Sequence, residues 1–277
     1  MEEYYFLFGL AFLWTIFAVV QDLRKTEVAN WLNFSLIGFG LAYRGFYSFF
    51  KEDIFFFIIG LIGFGIFFIL AYVFYYTRAF AGGDAKLLMG YGVILPYGDF
   101  GELLDVGIFF ILALFLFGLV YSLIYSLFIV RKDRMKFYRK FIFEVRKNLF
   151  VFAIAIFAFI VFLFFGFNYS GFIFVSLLFV SFLYTYLRAL DSYMIELVKA
   201  RDLQEGDWLE KDVRVGSRLI RKSVDGLSVD DIKILQKAKK EVYIKSGVPF
   251  TPAFLISLIT VFVFSILELP LVIFSLF

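Results

Sequence analysis

The chain has no cysteine and no histidine among its 277 residues. Those two absences remove disulfide frameworks, thiolate and imidazole metal sites, haem ligation through histidine, cysteine nucleophiles and every histidine-dependent triad. Any catalysis must rest on Asp, Glu, Lys, Tyr or Ser, and no metal or cofactor is expected. Charge is also scarce, at 18% Asp, Glu, Lys and Arg, and proline occurs only four times. What fills the chain instead is apolar: 62% hydrophobic residues, 23% aromatic, with 44 phenylalanines. The length would allow two soluble domains at about 150 residues each, but this composition is that of an integral membrane protein.

Stretches of about 17 to 25 apolar residues are long enough to cross a roughly 30 Å hydrocarbon core. They occur at 4–21, 28–49, 54–77, 106–130, 149–167, 170–187 and 250–267. Residues 87–96 are apolar but short, and read as a tilted span that starts near Asp84. The expectation is an all-α polytopic membrane protein with six to eight transmembrane helices, eight by this count. The first stretch reads as a retained helix, because Glu2 and Glu3 stand where a cleaved signal peptide carries basic residues.

The net charge of +3 says less than its distribution. With the N-terminus outside, the cytoplasmic segments 22–30, 78–86, 131–148 and 188–246 hold 25 of the 27 Lys and Arg residues, leaving Arg44 and Lys51 for the far side. This asymmetry favours that orientation over its reverse. The segment 131–148 carries eight basic and two acidic residues. It reads as a loop in contact with lipid headgroups, with no nucleic acid as partner.

Residues 1–190 then form the transmembrane domain, 191–246 a small α+β cytoplasmic domain, and 247–277 a final transmembrane helix. Within the small domain, strand-like runs lie around Leu209 to Val215 and Val242 to Lys245. Turns are signalled at Glu205-Gly206-Asp207 and Asp225-Gly226, and a helix begins at Ser228 with Asp231 three residues on.

Two carboxylates stand at one membrane depth. Asp22 ends the first apolar stretch, and Asp84 opens the short span within Phe80-Ala81-Gly82-Gly83-Asp84-Ala85-Lys86-Leu87-Leu88. The glycines allow backbone that a β-carbon would forbid, and the helix is expected to start at the aspartate. The bland reading makes Asp84 a helix cap and Asp22 an interfacial acid beside Arg24 and Lys25. The sharper one brings both carboxyls within a few ångströms, where like charges cannot both ionise and one proton is shared. That is the chemistry of an aspartic protease, which needs no His, Cys or metal.

The block Gly82-Gly83-Asp84-Ala85-Lys86-Leu87-Leu88, followed by Gly90 and Gly92, together with Val20-Gln21-Asp22-Leu23-Arg24, resembles the archaeal preflagellin peptidases and type IV prepilin peptidases. These are membrane aspartyl proteases of the GxGD class. Gly247-Val248-Pro249-Phe250-Thr251-Pro252-Ala253-Phe254 is similar to the proline-rich start of that family's last helix, with Pro252-Ala253 where a PAL-like motif is expected. The resemblance implies Asp22 and Asp84 as the catalytic pair, with Gly82 and Gly83 in a loop that supports Asp84. It also implies Lys86 as an electrostatic or lipid contact and Pro252 and Ala253 as an element of a substrate groove. Three departures stand against it. Ala81 replaces the first glycine of the pattern, the two-Cys-pair domain of many bacterial enzymes is absent, and 149–187 adds a helical hairpin to the usual six spans.

The substrate implied is a preflagellin or prepilin-like precursor with a short basic leader, cleaved at the cytoplasmic face, with membrane lipids as the other partner. Glu27, Asp202, Glu205, Asp207, Glu210 and Asp212 are available to attract such a leader, although exposed charge attraction is weak and screened. The rival reading is an ion-coupled transporter using Asp22 and Asp84. Against it, both acids lie near one surface rather than at the midplane. A membrane scaffold without chemistry is the third reading.

Overall fold

The computed structural model describes residues 2–164, 170–216, 218–223, 225–245 and 247–267. The expected turn of the 149–187 hairpin and the end of the 247–277 segment lie outside the described residues. Ten α-helices are described: α1 (Glu2–Lys25), α2 (Asn30–Lys51), α3 (Ile54–Tyr76), α4 (Gly82–Ile94), α5 (Phe100–Lys132), α6 (Arg134–Lys147), α7 (Leu149–Phe164), α8 (Ser170–Tyr193), α9 (Val229–Lys237) and α10 (Thr251–Ile266). Four of them, within α1, α3, α5 and α8, are long and apolar enough to cross a membrane, and α7 and α10 supply shorter apolar helices. The protein is therefore largely helical, with several apolar helices of the kind an integral membrane protein has.

The chain divides into two compact units, 1–124 with 248–277, and 125–247. In the first, α2 has an inverted pattern. Its polar side chains Asn33, Arg44 and Ser48 are buried, while Trp31, Phe34, Phe39 and Phe46 face outward. A helix in water arranges these the other way, whereas lipid favours apolar residues outside and polar ones packed within.

Helix α4 lies at the centre of this unit, packed by α3, α2 and α1. Of its 13 residues, Asp84, Ala85, Leu87, Leu88, Gly90, Tyr91, Gly92, Val93 and Ile94 are buried. Close approach to α3 depends on small residues: a Cβ on Gly92 would meet the Gly63 carbonyl oxygen at 2.5 Å. Three polar contacts then fix the helix. Near its middle, the Tyr91 hydroxyl lies 2.6 Å from Thr15 Oγ1 of α1. At its C-terminal end, the Arg44 guanidinium donates to the carbonyls of Val93 at 2.7 Å and Leu95 at 2.9 Å, and also to Phe56 at 3.0 Å. At its start, Asn33 Nδ2 donates to the Gly83 carbonyl at 3.4 Å. Arg44 is thus a structural cation inside the helix packing. It is fully buried and stacks with its Cζ 4.6 Å from the Phe56 ring centre and 4.9 Å from that of Tyr97.

Helix α10 packs on α1, with Phe8 against Phe262, and buries Phe254, Ser257, Leu258 and Val261, an i, i+3, i+4, i+7 face. Pro252 lies in its first turn, where a missing N–H costs nothing.

In the second unit, 131–148 is not the expected loop. It forms helix α6, because Asp133 caps it by accepting from Lys136 N at 2.9 Å, and Phe137 and Phe141 stack one turn apart. Those rings pack on α8, Phe137 against Tyr186 and Tyr193, and Phe141 against Phe182. Lys136 and Arg139 stay on the exposed side.

The polar segment folds around β1 (Ile195–Lys199), β2 (Trp208–Leu209), β3 (Val213–Val215), β4 (Arg218–Ile220) and β5 (Glu241–Lys245). Strand β5 lies between β1 and β2, antiparallel to both, and β3 pairs with β4. The single run expected from Leu209 to Val215 is split between two sheets, because Asp212 turns away to accept from Lys222 N at 2.7 Å. Other local signals read true. Ser228 and Asp231 form a reciprocal capping box at the start of α9, and Gly206 and Gly226 take φ of +89° and +76°. Leu209, Leu227, Leu235 and Val242 close a small core of the segment's own.

Candidate active site

Asp22 lies in the last turn of α1 and Asp84 in the first turn of α4. Both are buried, at 6% and 8% exposure. Helices α1 and α4 pack on each other, with Asp22 at the end of one and Asp84 at the start of the other. The structure therefore buries both acids that the sequence singled out, on two helices in contact.

Their partners differ. Asp22 Oδ2 accepts two hydrogen bonds from Thr251 at the start of α10, from the backbone N at 3.1 Å and from Oγ1 at 2.8 Å. Asp84 Oδ2 accepts one longer bond, from Ala81 N at 3.3 Å. This is half of a capping box, since alanine has no side-chain acceptor to complete the other half.

The setting of Asp84 corrects two expectations. Helix α4 begins at Gly82, so Asp84 occupies the third helical position rather than the cap, and Gly82 and Gly83 belong to the first turn instead of a loop. Neither glycine has a positive φ. What Gly83 supplies is space: a Cβ there would meet Val28 Cβ at 3.2 Å and Val28 N at 3.4 Å. Gly82 has only the Tyr75 ring at 3.7 Å, an ordinary contact. The helix starts early because its first N–H groups need no intrahelical partner, and Asp84 satisfies one of them from within.

Lys86 does not pair with either acid. Its Nζ donates to Asn30 Oδ1 at 2.6 Å, which ties the first turn of α4 to that of α2. Pro252 is half-buried and Ala253 fully buried among core side chains, so Ala253 lines no open groove in this conformation. Four of the six acids proposed to attract a leader have local partners, Asp212 among them. Glu210 pairs with Lys222 at 3.5 Å, Asp202 with Arg201 at 3.4 Å, and Asp207 accepts from Gln204 N at 2.8 Å.

Sequence reasoning missed three contributors. Thr251 was passed over between two prolines. Asn33 is fully buried, with Oδ1 lacking a partner among the described residues. Gln21 Oε1 accepts from Ala29 N at 2.9 Å and shapes the turn between α1 and α2. The available signal was an isolated amide or hydroxyl within an apolar helix, which costs free energy unless it is used.

Residues 9–123, which carry both aspartates, match the type IV leader peptidase family. The likeness to that family is confined to this segment. The chain is 35% identical over 81 residues to a preflagellin peptidase of Methanocaldococcus jannaschii, covering 29% of this chain and 34% of that protein. It is 33% identical over 97 residues to a preflagellin peptidase of Methanococcus maripaludis, covering 33% of this chain and 42% of that protein. The match thus spans well under half the length of either relative. No solved structure matches the chain. Thr251, α10 and the whole second unit lie beyond the leader-peptidase segment.

Proposed function

We propose that the protein is an aspartic endopeptidase of the cell membrane that removes the basic leader from preflagellin or prepilin-like precursors. The observation that carries this is the pair of buried carboxyls, Asp22 and Asp84, on the packed helices α1 and α4 inside the leader-peptidase segment. The names of the two relatives support preflagellin as the substrate class. The distribution of Lys and Arg supports an N-terminus outside and an active site at the cytoplasmic face, with 191–246 as a cytoplasmic domain and 250–267 as the last of eight spans.

The chemistry needs one proton between the two carboxyls. The ionised carboxylate takes a proton from water, and the hydroxyl so formed bonds to the scissile carbonyl carbon. The protonated partner gives its proton to the carbonyl oxygen. The gem-diol then collapses: the first carboxyl passes its proton to the amide nitrogen, the second takes one back from a hydroxyl, and the C–N bond breaks. Both groups end as they began. An ion-coupled carrier is not favoured, because nothing in the family match points to transport.

The test is cleavage of a preflagellin in membranes by wild type, Asp22→Asn and Asp84→Asn, with equal expression confirmed. Asn keeps the size and helix-capping ability of Asp but cannot exchange protons. Loss of cleavage in both variants is expected, by at least about a thousandfold. Retention in either one removes that residue from the chemistry.

A further inference from the structure

The two carboxyls are not equivalent, and we infer that Asp22 is the member that carries the charge and activates water, that Asp84 is the member that carries the proton, and that Thr251 is the positioning residue that sets this order. The inference rests on the aspartic reading above and deepens it.

Helix termini do not decide the order, because each carboxyl lies at a helix N-terminus, Asp22 facing that of α10 and Asp84 within that of α4. The donors decide it. A carboxylate is stabilised in its ionised form by each N–H or O–H it accepts, and more by short bonds than by long ones. Thr251 gives two converging donors to Asp22 Oδ2, at 2.8 Å and 3.1 Å. Asp84 receives one at 3.3 Å. Thr251 is itself fully buried, so no water competes for its hydroxyl.

The other charges nearby leave this asymmetry in place. Helix α1 is packed by α2, α4 and α10. The charged residues of those helices are Arg44 and Lys51 on α2 and Asp84 and Lys86 on α4, with none on α10. Arg44 is engaged with carbonyls at the other end of α4, and Lys86 with Asn30. On α1 itself, Arg24 and Lys25 follow Asp22 and are exposed. Asp84 is therefore the charged partner that matters, and it can only oppose a second negative charge.

The experiment is the pH profile of kcat/KM for preflagellin cleavage in detergent or nanodiscs, for wild type, Thr251→Val and Thr251→Ser. Asp22→Asn and Asp84→Asn run alongside. Thr251→Val removes one donor to a charged group and keeps the backbone donor. Its acidic limb is expected to move to higher pH by about one unit, with the basic limb fixed. Thr251→Ser restores the wild-type profile, which a merely structural role for the methyl group would not do. A uniform loss of activity with both limbs unmoved overturns the inference, and so does movement of the basic limb alone. Neither outcome touches the aspartic reading, which fails only if Asp22→Asn or Asp84→Asn still cleaves.

Discussion

Replacing Arg44 is the most informative perturbation of the scaffold that holds Asp84. The guanidinium donates to three carbonyl oxygens at 2.7, 2.9 and 3.0 Å, two of them at the C-terminal end of α4. Hydrogen bonds from a charged group are each worth about 1.5–3 kcal/mol, so the gross contribution of three is roughly 5–9 kcal/mol. Relief of the buried charge in an Arg44→Leu variant returns several kcal/mol. The net destabilisation is then about 2–4 kcal/mol, arising from carbonyls left without donors in a dry interior. Arg44→Lys recovers little of it, because a point ammonium cannot span three acceptors arranged for a planar fork. The assay is reversible unfolding of the purified protein in mixed micelles, followed by helical circular dichroism. Cleavage activity is measured at a temperature where each variant remains folded. Both variants should be destabilised, Leu at least as much as Lys. A Leu variant within about 0.5 kcal/mol of wild type, the scatter of a neutral surface change, would refute the argument that these bonds hold α4.

Two further outcomes probe the same helix. Thr15→Val should destabilise more than Tyr91→Phe, because Thr15→Val leaves the buried Tyr91 hydroxyl without a partner, whereas in Tyr91→Phe the Thr15 hydroxyl still donates to the Ala11 carbonyl at 2.6 Å. A double-mutant cycle should return a coupling of about 1 kcal/mol, and zero coupling would remove this contact from the account. At the start of the helix, Gly82→Ala should be neutral or slightly stabilising, since its Cβ finds ordinary space and alanine favours helix. Gly83→Ala should cost about 1 kcal/mol and lower cleavage, since its Cβ presses on Val28. The reverse order in thermal melts would show that backbone freedom, not space, is what Gly82 provides.

The sequence by itself determined the solvent this chain is built for, the helices that the apolar runs become, and the two acids worth testing. It also determined the Ser228–Asp231 capping box and the glycine turns at Gly206 and Gly226. These are features written within a few neighbouring residues, where periodicity, caps and φ preferences act. Only the tertiary structure decided what surrounds the acids. Asp22 and Thr251 are 229 positions apart, and Arg44 reaches carbonyls 49 and 51 positions away. No local propensity encodes such pairings, because a buried hydroxyl or guanidinium is placed by whichever donors and acceptors the packed helices leave unpaired. The same reason moved the start of α4 back to Gly82, and at Gly83 it is Val28 of a neighbouring segment, rather than the glycine's own backbone, that sets the requirement for a missing side chain.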